Sequence, residues 1–157
     1  MISGADASII GARSDYRTKA LLFTLYKGGW YVYGNGEGEL NVDFANNTKY
    51  DVIIDNNKID YKLASSDTYR NATTRSAVTF QTDYNLYMFA ENFRGSVSSF
   101  SMMRLYYVQI YESGSLIRDL IPCVRTADKK VCLYDKVSNT YFYNQGSGTF
   151  IAGPEIN

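Results

Sequence analysis

A two-residue period in the apolar side chains recurs throughout this chain, and it limits the possible folds more than any other feature. In the segment from residue 58 to residue 63, Ile59, Tyr61 and Leu63 alternate with charged residues. Successive side chains of a β-strand point to opposite faces, whereas the apolar residues of a surface helix recur about every 3.6 positions. The sequence therefore predicts an all-β protein with almost no helix.

Turn-forming residues separate the apolar segments at regular intervals. Asn56 and Asn57 tolerate the left-handed backbone of a tight turn, so segments 50–55 and 58–63 are expected to form a hairpin. Many short strands with turns between them are typical of a sandwich or a barrel. The other predicted strands are 20–26, 30–33, 39–44, 77–81 and 85–91, and the predicted loops are 34–38, 64–76 and 92–99.

A second hairpin is predicted in the last third of the chain. The Glu-Ser-Gly-Ser turn at 112–115 joins a long strand, 102–112, to a returning strand, 115–123. The long strand is apolar on both faces, so we expect it to be central in its sheet and covered on both sides. Pro122 marks the position where the returning strand must lose a neighbour, because proline has no N–H group to donate.

The length and the charge of the chain set its class. A length of 157 residues fits one domain, and all-β sandwiches commonly reach this length, so the prediction is a single β-sandwich domain over residues 1–157. The 16 basic and 16 acidic residues balance, which argues against duplex nucleic acid or an anionic membrane surface as a partner. No apolar run approaches the roughly 18 residues that span a bilayer. We therefore expect neither nucleic-acid binding nor membrane insertion.

Histidine is absent from the sequence, and this excludes several kinds of catalytic site. Ser-His-Asp and Cys-His arrangements and His-containing metal sites all need it. Glycoside hydrolysis needs two carboxylates on opposite sides of a sugar, and same-face carboxylates such as Glu37 and Glu39 have a suitable spacing. A solvated turn is the simpler explanation for these two, and the Glu-x-Asp-x-x-Glu pattern of sandwich glucanases is missing. We therefore expect a protein that is not an enzyme, with a sandwich-type glycoside hydrolase as the third choice.

Three glycines, Gly34, Gly36 and Gly38, resemble a phosphate-binding loop only superficially. A dinucleotide fingerprint needs a helix after the glycines, so that its N-terminus meets the pyrophosphate. A strand is predicted to follow here instead. The glycines therefore indicate a hairpin loop whose backbone requires positive φ.

The two cysteines, Cys123 and Cys132, flank a polar loop at 126–130. They do not make a zinc site, which needs four ligands. A disulfide between them is geometrically possible if their strands pair. The simpler alternative is that both are small buried apolar residues.

Aromatic residues are frequent, with 15 Tyr, 8 Phe and 1 Trp. A sugar stacks on an exposed aromatic ring while nearby amide, carboxylate or Arg groups bind its hydroxyls. Two stretches combine these residue types, and packing of the rings in or on the sheet is the alternative for both. The candidate ligand-binding residues are Trp30, Tyr31, Tyr33, Asn35, Asn92 and Arg94.

No cofactor is expected, but calcium remains an option. Calcium binds several oxygen ligands, usually from clustered carboxylates and carbonyls. Asp43, Asn46 and Asn47 form one candidate cluster, and Asp135 with Asn139 forms another. Both clusters lie at predicted strand ends, where Asp and Asn are also favoured simply because they form turns.

A series of short motifs in the C-terminal third carries a family resemblance. The motifs are YYVQIY at 106–111, LIRDLIPC at 116–123, LYD at 133–135, YFYN at 141–144 and GSGTF at 146–150. Together, with similar segments at 10–13 and 85–90, they resemble the concanavalin A-like, laminin-G-like jelly-roll modules of phage structural proteins and bacterial surface proteins. The resemblance implies a β-sandwich of two stacked antiparallel sheets, used as one module of a longer protein.

The resemblance and the aromatic, Asn-rich segments together predict a function. We expect a non-catalytic module of a phage tail, virion or surface protein that binds a carbohydrate or a host surface. Its partners would be a glycan and other virion or surface-protein subunits, and its location would be the virion or the outside of a cell. The alternative is a purely structural domain that serves protein–protein assembly.

Overall fold

The computed structural model describes residues 7–15, 19–25, 29–42 and 44–154. All regular structure in this part of the chain consists of β-strands, so the predicted all-β class is confirmed. The strands form three sheets that are antiparallel except for one pair, which is compatible with a β-sandwich. Among the described residues, no helix is long and apolar enough to cross a membrane. The jelly-roll connectivity stays a prediction.

Fourteen strands are present in the described segments. In chain order they are β1 (Ser8–Arg13), β2 (Ala20–Thr24), β3 (Trp30–Gly34), β4 (Gly36–Glu39), β5 (Tyr50–Asp55), β6 (Lys58–Leu63), β7 (Arg70–Thr74), β8 (Tyr87–Met88), β9 (Glu91–Phe93), β10 (Ser96–Ser98), β11 (Val108–Glu112), β12 (Ser115–Val124), β13 (Val131–Asp135) and β14 (Thr140–Phe142).

The chain divides into two compact units, one ending at Met103 and the other beginning at Arg104. The N-terminal unit contains a seven-stranded sheet of order β10-β9-β1-β2-β3-β4, in which β8 also pairs with β1, and a three-stranded sheet of order β5-β6-β7. The C-terminal unit contains a four-stranded sheet of order β11-β12-β13-β14. The prediction of a single domain over the whole chain stays a prediction.

The core of the N-terminal unit lies between its two sheets. Phe23 and Tyr31 are directly opposite each other on β2 and β3, and both side chains are buried. They form one apolar cluster with Leu40 and with Ile59 and Ala72 of the three-stranded sheet. Burial of large apolar side chains stabilises a fold by about 1.5–3 kcal/mol each, so this cluster holds the two sheets together.

A buried ion pair ties β1 to its parallel neighbour β9. The Glu91 side chain is almost fully buried and pairs with Arg13. Its second carboxylate oxygen accepts hydrogen bonds from the Ser98 and Ser99 hydroxyls at 3.4 and 3.2 Å. Because a buried charge is costly unless it is paired and hydrogen-bonded, these partners allow a carboxylate inside the sheet.

Both predicted hairpins are confirmed. Asp55 is opposite Lys58 across a two-residue turn in which Asn56 has φ +49°. The β11–β12 turn places Ser113 and Gly114 at positive φ. The pairing of β12 with β11 ends at Leu120, two residues before Pro122, as the missing N–H group of proline requires.

The hairpin predicted at the glycines is confirmed, with Gly34 at φ +62°, but its turn is shorter than the predicted loop 34–38. The strand predicted at 39–44 is wrong for its described residues, of which only Glu39 belongs to a strand. The chain turns within Gly34 and Asn35, and β4 begins immediately after them. The glycine at position 38 of β4 leaves room for the side chain of Arg75, which packs against the strand. A Cβ atom on Gly38 would lie 2.8 Å from Nη1 of Arg75, whose Nη2 donates to the Glu39 carbonyl oxygen at 2.6 Å.

Two further segments predicted as loops contain strands. Segment 64–76 includes β7, and segment 92–99 includes β10 and most of β9. These strands are short and rich in Ser, Thr and Asn, so their composition was typical of turns. Neighbouring strands in the sheet, rather than an apolar period, determine their structure.

Two strand predictions from the middle of the chain are also corrected. Segment 77–81 forms no strand, and the strand predicted at 102–112 begins only at Val108. That strand is at the edge of the four-stranded sheet, not at its centre, and its Tyr111 side chain is 58% exposed. The apolar character of segment 102–112 therefore does not reflect coverage on both faces.

Candidate functional site

The aromatic residues predicted to bind a sugar on β3 do not share one surface. Side chains alternate along a strand. Trp30 therefore packs with the buried residues Leu22 and Val32, whereas Tyr31 and Tyr33 lie on the opposite face. Tyr31 is fully buried, so its ring is not accessible to a ligand. The sequence placed together residues that the fold separates.

Tyr31 ties the two sheets of the N-terminal unit together. Its hydroxyl donates a hydrogen bond to the backbone carbonyl oxygen of Asn56, in the β5–β6 turn. Burial raises the pKa of Tyr31 well above its ordinary value, and the nearby Tyr33 and Asp55 act in the same direction. The neutral phenol is therefore stabilised as a buried hydrogen-bond donor.

The remaining candidates near β3 are more accessible. Trp30 and Tyr33 are half-buried, and Asn35 is exposed in the turn. The ring of Tyr33 packs edge-on against Phe80, with 5.0 Å between the centroids. These residues stay candidates for ligand contact, but the packing of each aromatic ring against the sheet already accounts for its position.

Asn92 and Arg94 hold the β9–β10 hairpin in place. Asn92 is 3% exposed, and its Nδ2 donates to the Asn85 carbonyl oxygen at 2.9 Å while its Oδ1 accepts from the Gly95 amide at 3.0 Å. Arg94 Nη2 donates to Asp15 Oδ1 at 2.9 Å. Internal partners therefore occupy both polar ends of the Asn92 amide.

The two predicted binding stretches lie on the same sheet but not side by side. Strand β9 is separated from β3 by β1 and β2. Three steps of about 4.8 Å give a separation of roughly 14 Å between the two strands. A single small sugar does not span both stretches.

The described residues at the first calcium candidate do not form a cluster of ligands. Asp43 lies outside these residues, and Asn46 and Asn47 are exposed in a turn where Asn47 has φ +57°. Within 7–15, 19–25, 29–42 and 44–154, no group of three His, Cys, Asp or Glu side chains is placed to hold a metal ion. Calcium binding at Asp43, Asn46 and Asn47 stays a prediction.

The second acidic candidate, Asp135, organises the turn between β13 and β14. Its Oδ1 accepts from the Asp119 and Val137 amides at 2.9 and 3.1 Å, and its Oδ2 accepts from the Ser138 hydroxyl at 2.6 Å. Burial alone would raise the pKa of Asp135, but these hydrogen bonds and the charge of Arg118 outweigh it and lower the pKa. The carboxylate is therefore engaged inside the fold.

A cavity at the three-stranded sheet brings aromatic, hydroxyl and basic residues together on one surface, which the stretches predicted from the sequence do not. Its volume is about 220 Å³. Val42 and Leu63 supply apolar walls. The aromatic and polar lining residues are Tyr50, Tyr61, Lys62, Ser66, Thr68 and Arg70.

The aromatic side of the cavity is rigidly packed. The rings of Tyr50 and Tyr61 each pack edge-on against Phe44, with centroids 4.9 and 5.6 Å apart. The Tyr50 hydroxyl accepts a hydrogen bond from the Ala45 amide at 3.0 Å. Both tyrosines are half-buried, so part of each remains accessible.

Two basic residues, Lys62 and Arg70, also contribute to the lining of the cavity. Arg70 is directly opposite Tyr61 on the neighbouring strand, and its residue is exposed. Lys62 lies 3.7 Å from Asp51 and 5.1 Å from the centre of the Tyr69 ring. Because Lys62 follows Tyr61 on the same strand and pairs with Asp51, its ammonium group lies on the other face of the sheet. The lining therefore offers aromatic contact, hydroxyl groups and the guanidinium group of Arg70 to a ligand.

Sequence reasoning missed this cavity because it draws on three separate segments. Tyr50 and Tyr61 were assigned to the hairpin correctly, but only as residues of one sheet face. The loop predicted at 64–76 is correct for Ser66 and Thr68, whereas Arg70 begins β7, whose composition does not indicate a strand. One sequence feature could have indicated the cavity: two tyrosines on a predicted hairpin, Tyr50 and Tyr61, followed by a polar segment that contains Arg70.

Comparison of the chain with protein-family models, with curated proteins and with solved structures gave no significant match in any of the three cases. The resemblance to concanavalin A-like and laminin-G-like modules therefore stays a prediction from sequence motifs. The function has to be inferred from the residues and their geometry.

Proposed function

We propose that this chain is a non-catalytic module that binds carbohydrate on a host or cell surface. The observation that supports the proposal best is the cavity at the three-stranded sheet, where the half-buried Tyr50 and Tyr61 share the lining with Arg70, the register partner of Tyr61 on the neighbouring strand. Binding sites of this kind combine apolar and aromatic walls with a few placed polar groups. The same combination suits a sugar, which has apolar C–H faces and polar edges.

The size and charge of the cavity limit the kinds of sugar that it could bind. Its volume of about 220 Å³ is below the roughly 300–1,000 Å³ of sites for drug-sized ligands. It therefore suits the terminal unit of a glycan better than a long chain. Arg70 favours a sugar that carries a carboxylate, because charge-assisted hydrogen bonds are stronger than neutral ones.

The proposal includes a biological setting, which rests on the motif series in the C-terminal third. Modules with that series are used in phage tails, other virion proteins and bacterial surface proteins. We place this chain in such a protein, on the virion or the outside of a cell, with the other subunits of the parent assembly as its partners. The glycan ligand would then mediate attachment to the host.

Calorimetric titration with neutral and acidic oligosaccharides, with and without calcium, tests the proposal. We expect the Arg70→Ala substitution to weaken binding of an acidic glycan about 10- to 100-fold, because a hydrogen bond to a charged group contributes about 1.5–3 kcal/mol. Arg104→Ala, which also removes an exposed arginine but does not alter the cavity lining, is the matched control and should bind like the native chain. No glycan binding by the folded native chain would contradict the proposal.

A structural role in assembly is the second candidate function. The C-terminal unit exposes many large apolar side chains, a pattern that often marks protein–protein contacts. Six of them are Tyr111, Leu116, Val124, Val137, Tyr141 and Phe142. A stable oligomer in analytical ultracentrifugation, together with no glycan binding, would favour this role, and a monomer at high concentration would count against it.

A further inference from the structure

We propose that Cys123 and Cys132 are a site of covalent modification, at which exchange with a small-molecule disulfide forms an intramolecular disulfide. The co-reactant belongs to the chemical class of oxidised glutathione. The bond would join β12 to β13 and fix the hairpin of the C-terminal unit. The inference is independent of the proposed carbohydrate binding, since it concerns a different unit of the chain.

The strand register places the two cysteines directly opposite each other. Cys123 of β12 pairs with Cys132 of β13, between the pairs Pro122–Leu133 and Val124–Val131. Directly opposite residues in antiparallel strands have Cα atoms about 4.5–5.5 Å apart. Disulfides span Cα separations of about 4.4–6.8 Å, so the bond fits between these strands without moving the backbone.

The two sulfur atoms are already close. The Sγ atoms of Cys123 and Cys132 are 3.5 Å apart, and both residues are free thiols in the structure. A disulfide requires a separation of about 2.05 Å between the sulfurs. Each sulfur therefore needs to move by less than about 1 Å, which small rotations of the two side chains provide.

The hairpin around the cysteines is held in place before any oxidation. The Arg125 amide donates to the Lys130 carbonyl oxygen at 2.9 Å, and the Lys129 amide donates to the Arg125 carbonyl oxygen at 2.9 Å. These bonds close the turn that connects β12 to β13. Formation of the disulfide therefore costs little ordering of the chain, because the closing turn is already formed.

Unequal exposure of the thiols determines the order of the reaction. Cys123 is half-buried, whereas Cys132 is 1% exposed, so the small disulfide RSSR reaches Cys123 first. The Cys123 thiolate attacks one sulfur of RSSR, forms Cys123–S–SR and releases RSH. Cys132 then attacks the Cys123 sulfur, forms the intramolecular disulfide and releases a second RSH. Two thiols are oxidised, RSSR is reduced to two RSH, and both thiol protons leave with them.

Ionisation of Cys123 controls the rate of the first step. Burial raises the pKa of the Cys123 thiol to about 11, and its hydrogen bond with Cys132 acts in the same direction. The titratable and charged side chains around this face of the sheet include Tyr111, Asp119, Arg125, Lys130, Tyr134, Lys136, Tyr141 and Tyr143. Because the thiolate is the reactive form, the rate should rise about tenfold per pH unit as the pH increases from neutral.

Incubation of the folded 157-residue chain with oxidised glutathione at mildly alkaline pH tests the inference, with intact-mass analysis and peptide mapping as readouts. We expect the native chain to lose two hydrogen atoms, to retain no free thiol and to form no disulfide between chains. In Cys132→Ala the reaction should stop at a glutathione adduct on Cys123. In Cys123→Ala the buried Cys132 should remain unmodified while the protein is folded, as judged by circular dichroism.

Two results would overturn the inference. The first is a folded native chain in which both thiols stay free under conditions that oxidise the same chain in denaturant. The second is a stable glutathione adduct on Cys123 of the native chain, because it would show that Cys132 does not complete the exchange. Both readouts come from the native chain, so they hold even if one of the variants fails to fold.

Discussion

In the N-terminal unit two sheets share a buried apolar core, whereas in the C-terminal unit a single four-stranded sheet is organised around a buried carboxylate. The N-terminal core contains Phe23, Tyr31 and Ile59 at 0 to 1% exposure. Among the described residues of the C-terminal unit, the buried apolar side chains are Leu120, Cys132 and Leu133. The buried acid Asp135 lies beside them and accepts three hydrogen bonds of 3.1 Å or less.

This difference shows that antiparallel sheets can be stabilised in two ways, by an apolar core or by a buried, hydrogen-bonded carboxylate. Apolar burial depends little on pH, whereas an ionised carboxylate with several donors is sensitive to acid. The N-terminal unit should therefore respond most to the loss of apolar volume. The C-terminal unit should respond most to changes in the charge and hydrogen bonding of one residue.

The largest effect is expected from removing apolar volume in the N-terminal core. We predict that Phe23→Ala lowers the free energy of unfolding by about 3–5 kcal/mol, because it leaves a cavity between the two sheets. Urea unfolding followed by the fluorescence of Trp30, the only tryptophan, measures this. Phe142→Ala, at a 42% exposed position of the C-terminal sheet, is the control and should cost less than about 1 kcal/mol. Equal losses for both would contradict the comparison.

A smaller, pH-dependent effect is expected at Asp135. Its pKa is lowered on folding, so the carboxylate stabilises the fold above the ordinary value of 3.8, and this contribution is lost as the pH falls through the lower, folded value. Asp135→Asn should reduce the melting temperature by about 5 °C or more at neutral pH, since the amide replaces a charged acceptor. The stability of the variant should also fall less with decreasing pH, because it has no carboxylate at position 135 to protonate.

Hydrogen exchange of peptides from the C-terminal unit, followed from pH 7 downwards, separates this effect from general acid unfolding. Glu112→Gln neutralises an exposed acid of the same unit and should leave both the melting temperature and the acid transition near those of the native chain. If Asp135→Asn behaved like Glu112→Gln, the carboxylate would not organise this sheet.

The smallest effect is expected at the link between the two N-terminal sheets. Tyr31→Phe removes the hydrogen bond to the Asn56 carbonyl oxygen and should cost about 0.5–1.5 kcal/mol. Because the pKa of Tyr31 is raised on folding, its neutral form stabilises the fold below the ordinary value of 10.0, and stability is lost as the pH rises above it. Unfolding by urea at neutral and at strongly alkaline pH should show this loss in the native chain and less of it in Tyr31→Phe.

The sequence predicted the elements whose pattern is local. The period of two in 58–63, the Asn56–Asn57 turn and the Ser113–Gly114 turn led to hairpins with the correct partners. The β7 and β10 strands were missed because their residues are typical of turns, and only pairing with neighbouring strands makes them extended. The apolar periodicity of a segment does not predict which distant segment it pairs with.

The candidate site shows the same limit. The sequence predicts Trp30 and Tyr31 as neighbouring ligand contacts, but the alternation along β3 buries Tyr31 and separates it from Trp30. The cavity brings Tyr61 and Arg70 together across two paired strands. Neither the pairing of these strands nor the packing of Tyr50 against Phe44 could be obtained from the spacing of residues in the sequence.

The most direct test of the central claim is the change in backbone amide chemical shifts on titration with an acidic oligosaccharide. We predict saturable shifts confined to the cavity segments, around residues 50 and 61–70, and much smaller shifts in Arg70→Ala. Saturable shifts centred on residues 30–35 or within the C-terminal unit would contradict the assignment of the site. The absence of any shift in the folded chain would contradict carbohydrate binding itself.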